Sequence, residues 1–509
     1  MNQNGIVMGV VVVAAVAACS AGGAGERGES VEQAASDKLN TLDFPNTAGS
    51  ARTYSDNPKV MLKKNKVSSI PFFTSLGTNG RACIHCHTPG DNWGISAADV
   101  QYRFTHPLDI RNSDCLLSIQ SCPQESDPAS YGLNDPIFRT VDGATSPRAD
   151  VSTTAARQAA FSMLLTKGLV RVGIAVPASA EFTLAAVDDP YGYASAAELS
   201  LFRRPLPSTN LRLSAPVTKG NPHVDAGAGP SPIINAVMWD GRETLPNHDI
   251  VADLMDQANG ATLGHAQAIA GLSAADDAAI VDFETGLHSA QATDNGAGDL
   301  AANGGNGGPE WLAANQPYYN GINDVLGADP TGARFDPNVF SIYSAWAGAT
   351  TAARAAIARG EALFNTKPIA IRGVGGLNDA LGVDTIAGAC TTCHDAPNYG
   401  HHSVKLPINI GLVDASRRTA DLPLYTLQNK TTGATVQVTD PGRALITGKW
   451  ADVGKFKGPI LRGLAARAPY FHNGSAATLL DAVNFYDTRF GVGFTAQEKS
   501  DLVAFLQAL

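Results

Sequence analysis

Two short segments share one pattern, Cys83-Ile84-His85-Cys86-His87 and Cys390-Thr391-Thr392-Cys393-His394, in opposite halves of a 509-residue chain. Two thiols three residues apart fall on one face of a helical turn, and the adjoining imidazole follows on the same side. This is the attachment signature of c-type haem, in which the thiols add across two vinyl groups and the histidine becomes the proximal iron ligand. The competing readings are a structural zinc knuckle and a redox C-x-x-C pair. Zinc needs four ligands at matched spacing, and nothing pairs the two motifs closely enough. The chain is therefore expected to fold around two large apolar cofactors, each pinned covalently.

The N-terminal region points to export. Ile6 to Ala18 is an unbroken run of apolar and small residues ending in Val16-Ala17-Ala18-Cys19-Ser20. The run is short for a membrane span and suits a signal-peptide core. Small residues ahead of a cysteine resemble a lipoprotein cleavage box, so residues 1–19 read as a signal segment and Cys19 as the lipidated residue. Met1 to Gly5 carries no Lys or Arg, and an ordinary secretory signal with an incidental cysteine is the alternative. Residues 20–50, rich in Gly, Ser and acidic residues, read as a flexible tether. The expected location is the periplasm or cell envelope, with the membrane met only through a lipid. Setting aside Cys19 and the four motif cysteines leaves Cys115 and Cys122. In an oxidising compartment these are expected to form a disulfide closing a short polar loop.

A formal net charge of −10 argues against nucleic acid as a partner. Charged residues make up only 17% of the chain, and Gly is abundant, which suits close packing around cofactors. The length exceeds what one core usually supports, so two domains with insertions are expected. Ser273 is a fair N-cap for a helix carrying Ile280, Phe283 and Leu287 at helical spacing. Thr351 to Phe364 reads as a helix with Ile357, Leu363 and Phe364 facing a cofactor, and Ala496 to Leu509 as a terminal amphipathic helix. Residues 289–317 read as a long loop. Strand signals are few, with 434–439 the best hairpin candidate. The fold expected is mainly α with long loops, and no repeat is apparent beyond the doubled motif.

The chain resembles the bacterial di-haem cytochrome c peroxidase and MauG superfamily. The resemblance rests on Asn79-Gly80-Arg81-Ala82 before the first motif, on Asn235-Ala236-Val237-Met238-Trp239-Asp240-Gly241-Arg242, on Phe456-Lys457-Gly458-Pro459-Ile460-Leu461-Arg462-Gly463, and on Ala468-Pro469-Tyr470-Phe471-His472-Asn473-Gly474-Ser475. It implies two cytochrome c-like haem domains, 51–300 (peroxidatic) and 341–509 (electron transfer), joined by a long segment at 301–340. It further implies that His87 and His394 are proximal ligands and that Trp239 carries electrons between the haems. Arg242 matches the geometry of a haem propionate; a salt bridge to Asp240 or Glu243 is the alternative.

Other site residues follow from the same resemblance. The family caps its second haem with a Met or Tyr fourteen residues past the His of P-Y-F-H; Tyr486 stands there, and no Met follows Met255. His472 is the competing ligand, with His401 and His402 behind it. At the first haem the family parks a distal His ahead of W-D-G-R; His223, sixteen residues before Trp239, is the candidate and His106 a weaker one. Peroxide cleavage needs an acid–base group. Gln257 and His265 occupy the stretch where the family places its Gln and Glu, with Gln267 nearby. The resemblance also points to a calcium ion between the haems and admits a homodimer. It implies reduction of hydrogen peroxide with electrons from a small cytochrome c or a cupredoxin. The alternatives are MauG-like or rubber-oxygenase-like oxidation of an organic substrate with peroxide or dioxygen, and a non-catalytic di-haem carrier.

Overall fold

A computed structural model describes residues 40–58, 60, 62, 69–214, 237–243, 250–314, 321–327, 329–403 and 407–509. The strands are β1 (Thr41–Asn46), β2 (Gly49–Ser55), β3 (Val170–Ile174), β4 (Phe182–Asp188), β5 (Leu199–Arg203), β6 (Leu287–Asp294), β7 (Gly298–Asp299), β8 (Ile369–Arg372), β9 (Thr385–Gly388), β10 (Leu424–Asn429) and β11 (Thr435–Val438). The longer helices are α1 (Ile250–Gly264), α2 (Ala274–Thr285), α3 (Ala352–Thr366), α4 (Leu479–Phe490) and α5 (Ala496–Gln507). Helix reaches about 32% and strand about 17%, so the expected helical character holds only in part.

The strands join distant parts of one unit, Asn40–Leu509. One sheet runs β1-β2-β6-β7 and a second β11-β10-β4. Residues 41–50, expected in the tether, instead form β1 and the start of β2, with Phe44 and Ala51 buried. The loop expected at 289–317 contains β6, paired along β2 from Leu287↔Ser55 to Asp294↔Gly49. Its sequence hides it. Half of the strand's buried residues are polar, and these find specific partners: Ser289 Oγ meets Thr53 Oγ1 at 2.6 Å, and Gln291 accepts from Asn46 at 2.9 Å. The hairpin expected at 434–439 is β11, paired antiparallel with β10.

The helices follow their capping and patterning. Ser273 accepts a hydrogen bond from the Asp276 amide and starts α2, as its sequence signals. Thr495 and Glu498 form a reciprocal capping box at the start of α5. In α3, Ile357, Ala358, Glu361, Phe364 and Asn365 are buried at helical spacing, and Gly360 sits where α5 crosses. A Cβ on Gly360 would lie 2.0 Å from the Asp501 carbonyl oxygen. The crossing is therefore too close for any residue but glycine.

A second internal correspondence lies beyond the doubled motif. The segment Ile280-Val281-Asp282-Phe283-Glu284 of α2 parallels Leu502-Val503-Ala504-Phe505-Leu506 of α5. Phe283 packs on Phe72 at 5.0 Å between ring centroids, and Phe72 lies 6.4 Å from His87. Likewise Phe505 packs on Phe364 at 5.7 Å, and Phe364 lies 5.8 Å from His394. Each C-x-x-C-H histidine is thus backed by the same pair of phenylalanines. Of the α3 residues expected to face a cofactor, Phe364 does so, while Ile357 joins the core formed with Phe340, Leu502 and Phe505.

Candidate haem centres

Each C-x-x-C-H segment folds into one tight turn, Cys83–His85 and Cys390–Thr392. The His87 amide donates to Cys83 O at 3.0 Å and the His394 amide to Cys390 O at 3.1 Å. Each turn borders an internal cavity. The first is lined by Cys83, Cys86 and His87, the second by Cys390, Cys393 and His394. They are close in size, with about 200 Å³ and 220 Å³ open to water centres.

The two histidines are oriented alike. His87 Nδ1 lies 3.2 Å from Trp93 O and His394 Nδ1 2.7 Å from Gly400 O. A carbonyl on Nδ1 takes the ring hydrogen there and leaves Nε2 as the basic nitrogen, the arrangement a metal-ligating histidine needs. Burial pushes His87 down to about 4, against the backbone carbonyls of Trp93 and Leu206, and also lowers His394. Both rings are neutral. Burial also raises the thiols, with Cys390 and Cys393 pushed up to about 12.

Trp239 lines both cavities. Its indole donates to Arg204 O at 2.7 Å, and its carbonyl accepts from the Lys457 amide at 2.8 Å. The neighbouring Asp240 is fully buried and paired with Arg203 at 2.5 Å, which also binds Asp440 at 2.7 Å. W-D-G-R thus clamps the indole from both sides. Arg242 pairs with Asp240 at 3.2 Å and Glu243 at 3.5 Å while lining the first cavity.

Other cations at the cavities are more deeply buried, and sequence reasoning passed over them. Arg204 lines both cavities; it donates to the carbonyls of Pro469 and Ile95, and its Nε has no hydrogen-bond partner among the described residues. Arg467 lines the second and donates to the carbonyls of Ile460 and Arg462, and its Nε likewise has none among the described residues. Burial lowers both to about 10. Lys457 borders both cavities and is pushed down to about 8 by burial. Buried positive charge of this kind is costly unless an anion joins it. A c-type haem fits on three counts: two thiols and an oriented neutral imidazole, a largely apolar slot, and buried guanidiniums suited to its propionates.

His265 and Gln257 line the first cavity. His265 Nδ1 is hydrogen-bonded to Asp142, which also pairs with Arg81. The His265 side chain is 44% exposed, toward the cavity that it lines. Burial, with the Arg81 and Arg242 guanidiniums nearby, pushes it down to about 4 against the Glu243 carboxylate, while the hydrogen bond to Asp142 holds the ring hydrogen on Nδ1. Asp142 and Glu284, also at this cavity, carry no motif of their own. Comparing α2 with α5 in sequence would have singled out Glu284.

At the second cavity, Tyr486 lies 6.4 Å from His394 between ring centroids. His472 lines the same cavity but stacks on Phe456 at 4.2 Å and stands edge-on to Trp239 at 6.0 Å. His401 Nδ1 contacts His402 O, and His402 Nδ1 contacts Cys393 O at 3.1 Å. His106 stacks on Tyr102 at 3.9 Å. Cys115 and Cys122 are joined, with Cα atoms 4.6 Å apart. Cys19 and His223 lie outside the described residues. Among the described residues no group of three His, Cys, Asp or Glu side chains could hold a metal ion, so calcium has no side-chain cluster there. No helix among them is long and apolar enough to cross a membrane.

The chain matches no protein-family model. It is 33% identical over 143 residues to the cytochrome-c peroxidase IdrP1 of Pseudomonas sp. (strain SCT), across 24% of this chain and 36% of that protein. It is 34% identical over 141 residues to the cytochrome-c peroxidase IdrP2 of Denitromonas iodatirespirans, across 26% and 38%. A shorter stretch of 69 residues is 44% identical to the cytochrome c551 peroxidase of Nitrosomonas europaea, across 13% and 21%. The chain thus spans little more than a third of the length of the curated relatives it matches. Among solved structures, a MauG-like protein associated with microbial copper homeostasis is 19% identical, covering 51% of this chain and 61% of that one at a TM-score of 0.23.

Proposed function

We propose, for a chain that belongs to the bacterial di-haem cytochrome c peroxidase and MauG family, an exported peroxidase-like oxidoreductase that reduces hydrogen peroxide at the first cavity with electrons from the second. One observation carries the reading: each C-x-x-C-H turn borders its own cavity, and Trp239 lines both. Covalently held haem would supply the redox chemistry in each. The protein's own residues do the rest.

With haem bound, His87 and His394 would supply Nε2 to iron, and Tyr486 would be the candidate second ligand at the second site. Arg204, Arg467 and Lys457 would hold the propionates. His265, held by Asp142, accepts the peroxide proton on Nε2 and returns it to the departing oxygen, with Gln257 beside it as a hydrogen-bond donor. Trp239 is fixed by two hydrogen bonds and passes electrons without reorienting. The domain boundaries 51–300 and 341–509, a lipid anchor at Cys19, a periplasmic location, and a small cytochrome c or cupredoxin as donor belong to the same proposal.

Anaerobic peroxide titration of the reduced holo-protein, followed by EPR, tests it. The expected result is oxidation of both haems by peroxide, with Trp239→Phe leaving the second haem reduced on the same timescale. Two haems that stay reduced in peroxide would leave a simple electron carrier. Turnover only with an added organic substrate would favour the MauG-like alternative.

A further inference from the structure

Glu284 is a buried carboxyl, 7% exposed, on the wall of the first cavity. Among the described residues it forms no hydrogen bond or ion pair, and the group that senses its charge is the Cys83 thiol. A carboxyl in such a place is expensive to ionise and gains nothing structurally by being there. The second cavity shows what packing alone requires. The matching position on α5 is Leu506, which lines that cavity beside Leu502, just as Glu284 lines the first beside Ile280. Phe283 and Phe505, one residue earlier, make the same contact with the phenylalanine behind each histidine. Of the two cavity-lining positions in this repeat, one has exchanged a methyl-tipped side chain for an acid.

The other charged groups at this cavity are committed elsewhere. Arg81 and His265 share Asp142, Arg242 holds Asp240 and Glu243, and Arg204 donates to two carbonyls. Lys457 borders the cavity as a buried cation. On the elements packed against α2, α1 carries Asp253 and Asp256 and is followed by His265, the Leu211–Ser214 turn carries Arg212, which pairs with Asp56, and the Pro71–Phe73 turn brings no titratable group.

We propose that Glu284 is the proton-loading site of the first cavity: it binds a proton when an electron enters that cavity and releases it when the electron leaves. One negative charge and one positive charge arrive together, so the buried site stays at constant charge. Burial already holds this carboxyl up to about 8, so the proton is available near neutral pH. The inference rests on the peroxidase reading for its use. Reduction of hydrogen peroxide to two waters consumes two electrons and two protons, and Glu284 keeps one of those protons beside the reaction, regaining it from solvent.

Potentiometric titration of the holo-protein at a series of pH values, read at each haem's own absorbance, tests this without any turnover. In the wild type the first haem's potential should fall as pH rises through the Glu284 titration, approaching 59 mV per tenfold change in proton concentration for a one-electron step. The second haem, with Leu506 in place of the acid, should show a much flatter response. Glu284→Gln keeps the shape and Glu284→Leu reproduces the second site; both should flatten the first haem's slope, with two haems still bound per chain. A slope that survives Glu284→Gln, or a flat wild-type first haem, overturns the proposal. Peroxidase activity is measured separately, so its absence would count against the function and leave the slope to decide the role of Glu284.

Discussion

Around the first cavity the wall carries Gln257, His265, Asp142, Arg81 and Glu284, whereas around the second it carries Phe364, Leu479, Val483, Leu502 and Leu506, with Tyr486 near the histidine. The attachment turn, the carbonyl on Nδ1 and the phenylalanine pair are common to both. What differs is the carboxyl groups: Asp142 and Glu284 stand at the first cavity, while the second, which also holds His472, Arg204, Arg467 and Lys457, has no acid in its wall among the described residues. A site that only accepts and passes electrons is served by an apolar wall, which keeps reorganisation small. A site that breaks a peroxide bond needs groups that hold and move protons. Under the proposed function, the asymmetry of the walls, more than the motifs, is what favours the first cavity for the chemistry.

The largest expected effect comes from emptying one cavity. Cys83→Ala combined with Cys86→Ala should halve covalent haem, read as pyridine haemochrome, and abolish peroxide turnover. Cys390→Ala with Cys393→Ala should halve haem as well but leave peroxide able to oxidise the remaining centre once. If the two double variants behave identically, the division of labour fails.

Next in size is His265→Gln. General acid–base groups typically contribute 10²–10⁴-fold, so a loss of about a hundredfold or more in the peroxide reaction is expected. The pH dependence has a definite sign. A base must be neutral, and His265 is held down to about 4, so the wild-type rate should rise as pH increases through about 4 and stay level above it. The variant should lose that acid limb. Asp142→Asn, which removes the carboxylate on Nδ1, should lower the rate by a similar order with haem content unchanged. Stopped-flow rates across pH decide the matter; an acid limb unchanged in both variants would assign it to another group.

How much of this was legible in the sequence depends on whether local pattern or distant contact sets the feature. The C-x-x-C-H turns, the Ser273 cap and the β10–β11 hairpin are local, and each folds as its residues suggest. The strand β6 was not legible, because Ser289 and Gln291 are polar by sequence and buried by pairing with Thr53 and Asn46, more than two hundred residues away. Arg204 and Asp142 were missed for the same reason: their meaning comes from Trp239, Pro469 and His265, all distant in the chain. Glu284 could have been found, since α2 and α5 align residue for residue once their phenylalanines are matched.

A smaller effect is expected at the second cavity. Tyr486→Phe removes the phenolic oxygen while retaining the ring beside His394 and its stacking on Phe490. A tyrosine ligand stabilises the oxidised iron relative to a weaker or absent ligand, so the second haem's potential should rise and its oxidised spectrum change. The first haem's spectrum should stay as it was. A second-haem spectrum indistinguishable from wild type would pass the ligand role to His472, to be tested by His472→Phe in the same assay.

The smallest expected effect on function belongs to the disulfide, and it bears on why the two units are held together differently. The second unit is clasped by α3 and α5, which meet at Gly360 along their length. Around the first cavity α2 packs against α1 and the short Pro71–Phe73 turn, and Cys115 and Cys122 pack with Leu116 and Leu117 into the same core as Phe72 and Phe283. The disulfide staples that core beside the turn. For so short a loop, chain entropy gives about 2 kcal/mol of stabilisation. Cys115→Ser with Cys122→Ser should therefore lower the unfolding free energy by roughly that amount while leaving both haem spectra and the peroxide rate near wild type. If loss of the disulfide instead disturbs the first haem's spectrum, the loop positions the cavity wall as well as stabilising it.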